Sequence, residues 1–287
     1  MHIKEISSPQ NQLIKDLSLL LTKSRSRRER GLFLVEGLRE VERALRAGYR
    51  FESVLYRPDL ISMIEVDTRL SEATHESHKI QHIQCAPKVF SKVAYRTDVP
   101  NIVGVAQRNI SQQLERLETI ISRESAQLIL VLEGVEKPGN LGAILRSADA
   151  FGVDAVILVD STAEVEHPNT LRNSVGAALA LPIVSLSLET CHQFLRERDI
   201  PIYVTHLNAA SKPPNELPLT QSCALVLGSE AKGAKDLWFE LGAQATLIPM
   251  TSNRVVDSLN VSVAAAIMLY EVSRQRRSTV ESLTSVR

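Results

Sequence analysis

Asn140 and Arg146 are residues whose types and spacing could do chemistry. They lie in the stretch EKPGNLGAILRSADAFG (136–152), between the apolar runs QLILVLE (127–133) and AVILVD (155–160). A strand, a glycine-bearing turn, a helix and a second strand predict a βαβ unit, and such units bind ligands at the carboxyl edge of their sheet. An arginine at that edge could hold a phosphate or a hydroxyl group.

The helix predicted at about 140–151 carries its apolar residues on one side. They recur at helical spacing and are Leu141, Ile144, Leu145, Ala148 and Phe151. At about 100° per residue, Arg146 points away from that stripe, and Asn140 follows Pro-Gly where a helix cap is expected. An ordinary capped helix with an exposed arginine would give the same pattern, so the decision depends on residues further along the chain.

A second stretch, LVLGSEAKG (225–233), predicts a buried strand that runs into a Gly-Ser-Glu turn. Gly228 would allow a ligand to approach the backbone closely. Glu230 brings a carboxylate to the exit of the strand, although the dipole of a following helix would also favour an acid there.

A third stretch, LIPMTSNRVVDSLNVSVAAAIMLYE (247–271), places polar residues at the mouth of an apolar helix. A strand is predicted to end at Pro249, and a polar loop leads to a helix capped by Asp257 or Ser258. Because that helix is apolar nearly all round, we expect it to be buried on most sides. Capping would satisfy Ser258, whereas Asn260 needs another partner, either a protein group or a ligand.

The elements around these stretches predict an α/β protein of two domains. The strands of the second domain are continuous apolar runs, as in parallel sheets covered on both faces; they are 127–133, 155–160, 202–205, 223–228 and 245–249. The covering helices are predicted at about 140–151, 170–180, 188–198 and 258–275. Short strands and helices alternate in residues 1–108, which indicates a small α/β domain, followed by a linker at 109–126 and the second domain at 127–287.

Composition argues against two kinds of protein, one that binds nucleic acid through its net charge and one that spans a membrane. Of the 287 residues, 33 are basic and 33 acidic, so RNA or DNA binding would have to depend on local patches and not on net charge. The longest nearly continuous apolar run, VAAAIMLY (263–270), is far shorter than the roughly 20 residues of a membrane span. Three widely spaced cysteines and a polar N-terminus predict a cytoplasmic protein with reduced thiols.

In their order and separations, NLGAILRSA, GSEAKG and IPM followed by SLNVSVA resemble the SpoU/TrmH family of RNA ribose 2'-O-methyltransferases, of the SPOUT class. The segment HPNTLRNSVGAALALPIV (167–184) is similar to the family's stretch between its first two motifs. The residues SPQNQLIKDLSLLLTKSRSRRERGLFLVEGLREVERAL (8–45) resemble the small RNA-binding domain that precedes the catalytic domain in many members.

The resemblance implies a parallel sheet with a C-terminal trefoil knot, an S-adenosylmethionine cofactor held by that knot, and a homodimer acting on RNA. The implied catalytic surface consists of Asn140, Arg146, Glu230, Ser258 and Asn260. The implied cofactor pocket is lined by Leu227, Gly228, Ile248, Pro249, Met250 and Leu259. This chain departs from many members in its longer loop at 251–257 and in having Ala231 where glycine is common.

Methyl transfer to a ribose hydroxyl requires that the hydroxyl be positioned and its proton removed. Because an arginine side chain stays protonated, we expect Arg146 to hold the adjacent phosphate and favour the developing alkoxide; arginine as the base is the alternative. The resemblance then assigns Glu230 and Asn140 to orienting Arg146, and Ser258 and Asn260 to orienting the nucleotide.

A basic run, KSRSRRER (23–30), offers a local patch for RNA. Its cations are Lys23, Arg25, Arg27, Arg28 and Arg30. Such a run is often only a solvated helix face, but ahead of a ribose methyltransferase domain it favours contacts to phosphates. The two-domain arrangement predicts large-subunit (23S) ribosomal RNA as the substrate.

Three alternatives stay open at this point. The substrate could be transfer RNA, or the chain could be a non-catalytic RNA-binding factor with the same fold. A Rossmann-type nucleotide enzyme would need a glycine triplet after the first strand, which KPGNLG lacks. A cluster of His75, His78, His82 and Cys85 has no spacing typical of a metal site, so no metal is predicted.

Overall fold

A computed structural model of the chain describes residues 4–95, 100–108, 117–119, 126–207, 210–229, 232–251, 255 and 258–284. Glu230, Ala231, most of the predicted linker and most of the loop at 251–257 lie outside these residues. The chain divides into two compact units. Unit 1 consists of Met1–Asn109 and Glu164–Ala180, and unit 2 consists of Ile110–Ala163 and Leu181–Arg287.

The strands of unit 1 are β1 (Lys4–Ile6), β2 (Leu32–Glu36), β3 (Phe51–Tyr56), β4 (Gln81–Cys85) and β5 (Ile102–Gln107). The strands of unit 2 are β6 (Leu128–Glu133), β7 (Ala155–Val159), β8 (Ile183–Leu186), β9 (Ile202–Thr205), β10 (Cys223–Leu227) and β11 (Gln244–Thr246). The α-helices, in chain order, are α1 (Gln12–Thr22), α2 (Ser24–Arg30), α3 (Leu38–Arg46), α4 (Met63–Ala73), α5 (Pro87–Val93), α6 (Pro138–Ala150), α7 (Pro168–Ser174), α8 (Ala177–Ala180), α9 (Leu188–Arg196), α10 (Leu237–Glu240) and α11 (Val261–Thr284). None of the helices described is long and apolar enough to cross a membrane.

Unit 1 is built on a mixed sheet with the strand order β1-β4-β3-β5-β2, in which β5 runs antiparallel to both of its neighbours. Its core joins the apolar side of α1 and α5 to the sheet, through residues such as Ile14, Leu17, Phe90 and Ile83. The segment 164–180, with α7 and α8, belongs to this unit although the sequence-based boundaries place it in the second domain.

Unit 2 is built on a fully parallel sheet with the order β11-β9-β10-β6-β7-β8. Every residue of β6, β7 and β10 is buried, because helices or loops cover both faces, as the continuous apolar runs predicted. The parallel-sheet α/β fold predicted for this half is therefore confirmed, and β8 is a strand that the sequence analysis did not identify.

Helix boundaries differ from the predictions where local backbone chemistry decides them. Helix α6 begins at Pro138 and not at Asn140, because proline lacks the N–H that a first helical turn leaves unpaired. The predicted helix at 170–180 is broken into α7 and α8 by Val175 and Gly176, which have φ values of 52° and 90°. The last helix begins at Val261 and extends to Thr284.

We predict an acid-sensitive stability for unit 1 from His82. This side chain is 3% exposed on β4, and burial lowers the pKa of His82, with the Asp67 carboxylate 3.9 Å away opposing the shift. The unfolded chain takes up a proton near pH 6.5, whereas the folded unit binds it only at lower pH. The contribution of His82 to the free energy of unfolding is therefore fully present above about pH 6.5. As the pH goes down, the free energy of unfolding falls by at most about 1.4 kcal/mol per pH unit for one group.

Denaturant unfolding between pH 7 and pH 5 measures this effect. His82→Gln should reduce the slope of stability against pH, and His78→Gln, at an exposed position outside the sheet, should leave the slope unchanged. An identical slope in the His82 variant and the native chain would contradict the prediction.

Candidate active site

The centre of the parallel sheet is a topological switch point. β6 and β10 are neighbours, with Leu132 opposite Leu227; from β6 the sheet continues through β7 and β8 on one side, and from β10 through β9 and β11 on the other. The chain leaves these two central strands at the same edge, through Gly134 and Gly228. A crevice outside the carboxyl ends of the strands is where open α/β sheets bind ligands.

A cavity of about 170 Å³ lies at this edge. It is lined by Gly134, Val135, Glu136, Lys137, Asn140, Ser229 and Val261. The lining joins the turn after β6, the first turn of α6, the turn after β10 and the first residue of α11, so three of the sequence stretches that predicted chemistry meet here.

Asn140 and Asn260, which the sequence assigned to the catalytic surface, are in contact. The Asn260 Nδ2 group donates a hydrogen bond to Asn140 Oδ1 at 3.3 Å. Asn260 Oδ1 accepts from the backbone N–H of Ser262 at 2.9 Å and from its hydroxyl at 2.6 Å. One side chain thus binds to the first turn of both α6 and α11.

These bonds revise the predicted caps. Asn140 is the third residue of α6 and not its cap. Asn260 immediately precedes α11 and performs the capping, with its backbone carbonyl accepting from Val263 and Ala264, so α11 begins after Asn260 and not at Ser258. Asp257 lies outside the described residues, and Ser258 is exposed.

Arg146 is exposed on α6, while Leu141, Ile144, Leu145 and Ala148 on the same helix are buried, as predicted. Arg146 follows Asn140 by six residues. On an α-helix that separation is about 9 Å along the axis and about 120° around it. Arg146 and the Asn140–Asn260 pair therefore face different directions within one chain.

Gly228 can only be glycine in this backbone. A Cβ atom there would lie 2.1 Å from both the Ala234 nitrogen and the Gly233 carbonyl carbon. The reason is a tight turn, in which Ser229 and Gly233 exchange backbone hydrogen bonds of 3.0 and 2.9 Å. Glu230, inside this turn, lies outside the described residues.

Glu133 is a residue of this edge that the sequence analysis missed. Its side chain is 4% exposed at the end of β6, and its Oε2 atom accepts hydrogen bonds from the Trp238 indole at 2.9 Å and the Lys235 backbone N–H at 3.1 Å. The lone Trp238 is fully buried. An acid at the end of an otherwise apolar strand was the signal in the sequence.

The residues predicted to line the cofactor pocket occupy different environments. Leu227 is 1% exposed in the core, so only its backbone could reach a ligand. Ile248 is half-buried, whereas Pro249, Met250 and Leu259 are exposed. The last four flank the loop at 251–257, of which only residues 251 and 255 are described.

The basic run at 23–30 forms α2, and one of its cations is not available to RNA. Arg27 is 2% exposed; its Nη1 donates to the Leu20 carbonyl at 2.7 Å, and its Nε donates to Glu164 at 3.0 Å. The cations exposed on the surface are Lys23, Arg25, Arg28 and Arg30. Of these, Arg25 pairs with Glu29 at 2.6 Å and Arg30 with Asp16 at 3.3 Å.

The histidines and cysteine that cluster in the sequence do not cluster in space as metal ligands. His75 and His78 are exposed, and His82 and Cys85 are buried in β4. Within the described part of the chain, no three His, Cys, Asp or Glu residues are arranged to hold a metal ion. The three cysteines are free and buried, and burial raises the pKa of Cys85 and Cys191 to about 12 and that of Cys223 to about 11.

Comparison with known proteins identifies both halves of the chain. Residues 127–270 match the SpoU rRNA Methylase family, and residues 11–104 match the MRM3-like substrate binding domain. The chain is 30% identical to the 23S rRNA (guanosine(2553)-2'-O)-methyltransferase RlmP of Bacillus subtilis, over 94% of this chain and 99% of that protein. It is 37% identical to a tRNA (guanosine(18)-2'-O)-methyltransferase of Thermus thermophilus, over 56% of this chain and 81% of that protein.

A solved structure extends the likeness to three dimensions. The AdoMet-bound rRNA methyltransferase of Sinorhizobium meliloti superposes with a TM-score of 0.81 at 27% identity, over 95% of this chain and 98% of its own. Because one family covers half of the chain and a curated relative matches nearly all of it, the protein belongs to the SpoU rRNA methylase family.

Proposed function

We propose that the chain transfers a methyl group from S-adenosylmethionine to a ribose 2'-hydroxyl of RNA, with 23S ribosomal RNA as the substrate, in the cytoplasm. The observation that carries the proposal is the hydrogen bond between Asn140 and Asn260. It joins the first turns of two helices at the carboxyl edge of the sheet, beside the turn in which Gly228 is obligatory.

The residues at this edge fit the cofactor. S-adenosylmethionine supplies an activated methyl group on a sulfonium, so the protein has to bind it, align the acceptor hydroxyl and favour the loss of its proton. Leu227 and Gly228 would contribute backbone groups to the pocket, and the half-buried Ile248 and the exposed Leu259 would give apolar surface to the adenine. Pro249 and Met250 belong to the same segment, which the family resemblance assigns to the knot.

The polar residues would bind the RNA that accepts the methyl group. Asn260 and Ser258 would hold the nucleotide, and Arg146 would bind the phosphate beside the reacting ribose. A guanidinium cannot give up its proton readily, so Arg146 favours the alkoxide by its charge while phosphate or water accepts the proton. Glu230, outside the described residues, keeps its proposed role of orienting Arg146.

A homodimer would reconcile the directions of Arg146 and the Asn140–Asn260 pair. Along α11, Val263, Ile267 and Tyr270 form an apolar stripe that is 46%, 38% and 51% exposed. The Tyr270 ring contacts Phe151, just after the last turn of α6, edge to face at 6.2 Å. A second copy of the chain covering this stripe would bury it and bring Arg146 of one subunit towards the site of the other.

The choice of 23S ribosomal RNA follows RlmP, a relative that shares both halves of this chain. The transfer RNA enzyme of Thermus thermophilus matches only 56% of this chain, which supports transfer RNA less. Transfer of labelled methyl to unmodified ribosomal RNA, with transfer RNA in parallel, tests the proposal directly. Label in transfer RNA alone would overturn the substrate, and bound cofactor without label in either RNA would favour a non-catalytic RNA-binding factor.

Arg146→Ala should lower kcat/KM for methyl transfer by about 100- to 1000-fold, the usual loss when a group that stabilises a developing oxyanion is removed. The affinity for S-adenosylmethionine, measured by calorimetry, should change less than about twofold. Asp149→Ala, at an exposed position on the same helix, is the matched control. Loss of cofactor binding in the Arg146 variant would rule out the assigned role.

Gly228→Ala should abolish S-adenosylmethionine binding, because a Cβ atom has no space against the backbone of Gly233 and Ala234. Gly152→Ala is the control for the same chemical change, since its Cβ would meet no atom within 4 Å. That control costs about 1 to 2 kcal/mol of stability for its left-handed backbone and should retain cofactor affinity. Native-like affinity in the Gly228 variant would place the cofactor elsewhere.

Ile267→Asp should convert a dimer into monomers in light scattering, because a buried unpaired carboxylate opposes association. Methyl transfer should fall with it. Ile64 lies on α4 of unit 1 and is 76% exposed. Ile64→Asp should therefore leave the dimer intact. A monomeric native chain with full activity would exclude the dimer from the mechanism.

A further inference from the structure

Tyr95 is an exposed aromatic residue of unit 1 that the proposed reaction does not use. It is 41% exposed, and its ring packs edge to face against His167, with ring centroids 6.4 Å apart and planes at 78°. An edge-to-face contact occupies only one side of an aromatic system, so Tyr95 retains ring surface in contact with solvent.

Hydrogen bonds hold the backbone of Tyr95 and the ring of His167. The backbone N–H of Tyr95 donates a hydrogen bond to the Glu36 carboxylate. His167 Nδ1 accepts from the backbone N–H of Asn169 at 3.1 Å, which fixes the orientation and tautomer of the ring. The His167 ring that supports Tyr95 is thus oriented before a ligand binds, and its side-chain entropy need not be removed when the ligand stacks.

Helix α2 contacts the segment that carries His167. Glu164, three residues before His167, binds the buried Arg27 and lies 3.8 Å from Arg28 Nε. The Arg28 side chain is 65% exposed. Burial, and next the charge of Arg27, lower the pKa of His167, which shows that the ring is within electrostatic range of α2.

We propose that Tyr95, supported by His167, is a stacking platform for an unpaired nucleobase of the RNA substrate, and that Arg28 binds a phosphate of the same strand. The proposal rests on the proposed function, because it gives a single-stranded segment of that RNA a defined place on unit 1. An exposed aromatic face together with an exposed cation on the same unit is the combination that binds single-stranded RNA, since every base has a π face and every nucleotide a phosphate. A duplex offers no unstacked base to such a platform.

The test uses the full chain and a short fluorescein-labelled single-stranded oligoribonucleotide of mixed sequence, with the same strand in a duplex as the second probe. Tyr95→Ala should weaken binding of the single strand by about 5- to 150-fold, the range for losing one base–aromatic stack. Tyr95→Phe should bind within about twofold of the native chain, because the ring is retained. Ile64→Ala, another exposed apolar position of unit 1, is the matched control.

Salt dependence separates stacking from charge. Tyr95→Ala should leave the slope of log affinity against log salt unchanged, whereas Arg28→Ala should reduce it by about 0.7, the value for one phosphate contact on a single strand. Tyr95→Leu keeps apolar bulk without a π face and replaces the alanine variant if the latter unfolds. It should lose affinity as Tyr95→Ala does.

Equal single-strand affinity in the native chain and in Tyr95→Ala or Tyr95→Leu would overturn the platform. An equal loss for the duplex would also overturn it, because stacking on an unpaired base requires a single strand. Methyl transfer and S-adenosylmethionine binding by the native chain are measured in parallel. Failure of those two assays would reject the proposed function, whereas a loss confined to RNA binding in the Tyr95 variants supports the platform.

Discussion

Glu133 ends β6 with its carboxylate buried, and this carboxylate accepts hydrogen bonds from the Trp238 indole and the Lys235 backbone. Removing these donors would leave the carboxylate buried without partners and would destabilise the folded protein by several kcal/mol. The two bonds therefore fasten the segment that follows β10 to the end of the neighbouring strand. The tight turn at Gly228 and the start of α6 after Glu133 are set by the same contact, so the shape of the candidate active site depends on it.

Asn260 makes the second connection at this edge. As the cap of α11 it satisfies the N–H of Ser262, and through its Nδ2 group it reaches Asn140 on α6. A side chain that serves the fold in this way is already oriented before any ligand arrives. Preorganised polar groups of this kind contribute most to catalysis, because they need not be rearranged during the reaction. The same residue thus has a structural role and a proposed role in holding the nucleotide.

The sequence predicted the parallel sheet of unit 2 for a simple physical reason. Continuous apolar runs can be satisfied only where both faces of a strand are covered, and β6, β7 and β10 are buried throughout. The start of α11 was placed too early because Asp257 and Ser258 are both good caps, whereas the helix begins after Asn260, whose side chain contacts Asn140 on α6. Local pattern does not contain that contact.

Arg27 illustrates a second limit. In the run KSRSRRER it looks equivalent to its neighbours, yet it is buried because Glu164, distant in sequence, and the Leu20 carbonyl receive its guanidinium. The composition of the run predicts a charged surface but does not indicate which of its arginines is buried. Tyr95 and β8 were missed for a related reason, since a single exposed ring and a short strand leave no periodic signal.

Unit 1 is assembled from two stretches of chain, Met1–Asn109 and Glu164–Ala180. The two are joined by the ion pairs Arg27–Glu164 and Arg108–Glu166, and the second stretch buries Leu179 within the unit. In modular proteins, recombination at a linker exchanges whole domains. Here it would combine Met1–Asn109 of one protein with the stretch Glu164–Ala180 of another, and Arg27 and Arg108 would meet ion-pair partners from a different lineage. The two stretches must therefore be inherited together or change in concert, although β6 and α6 of unit 2 are encoded between them.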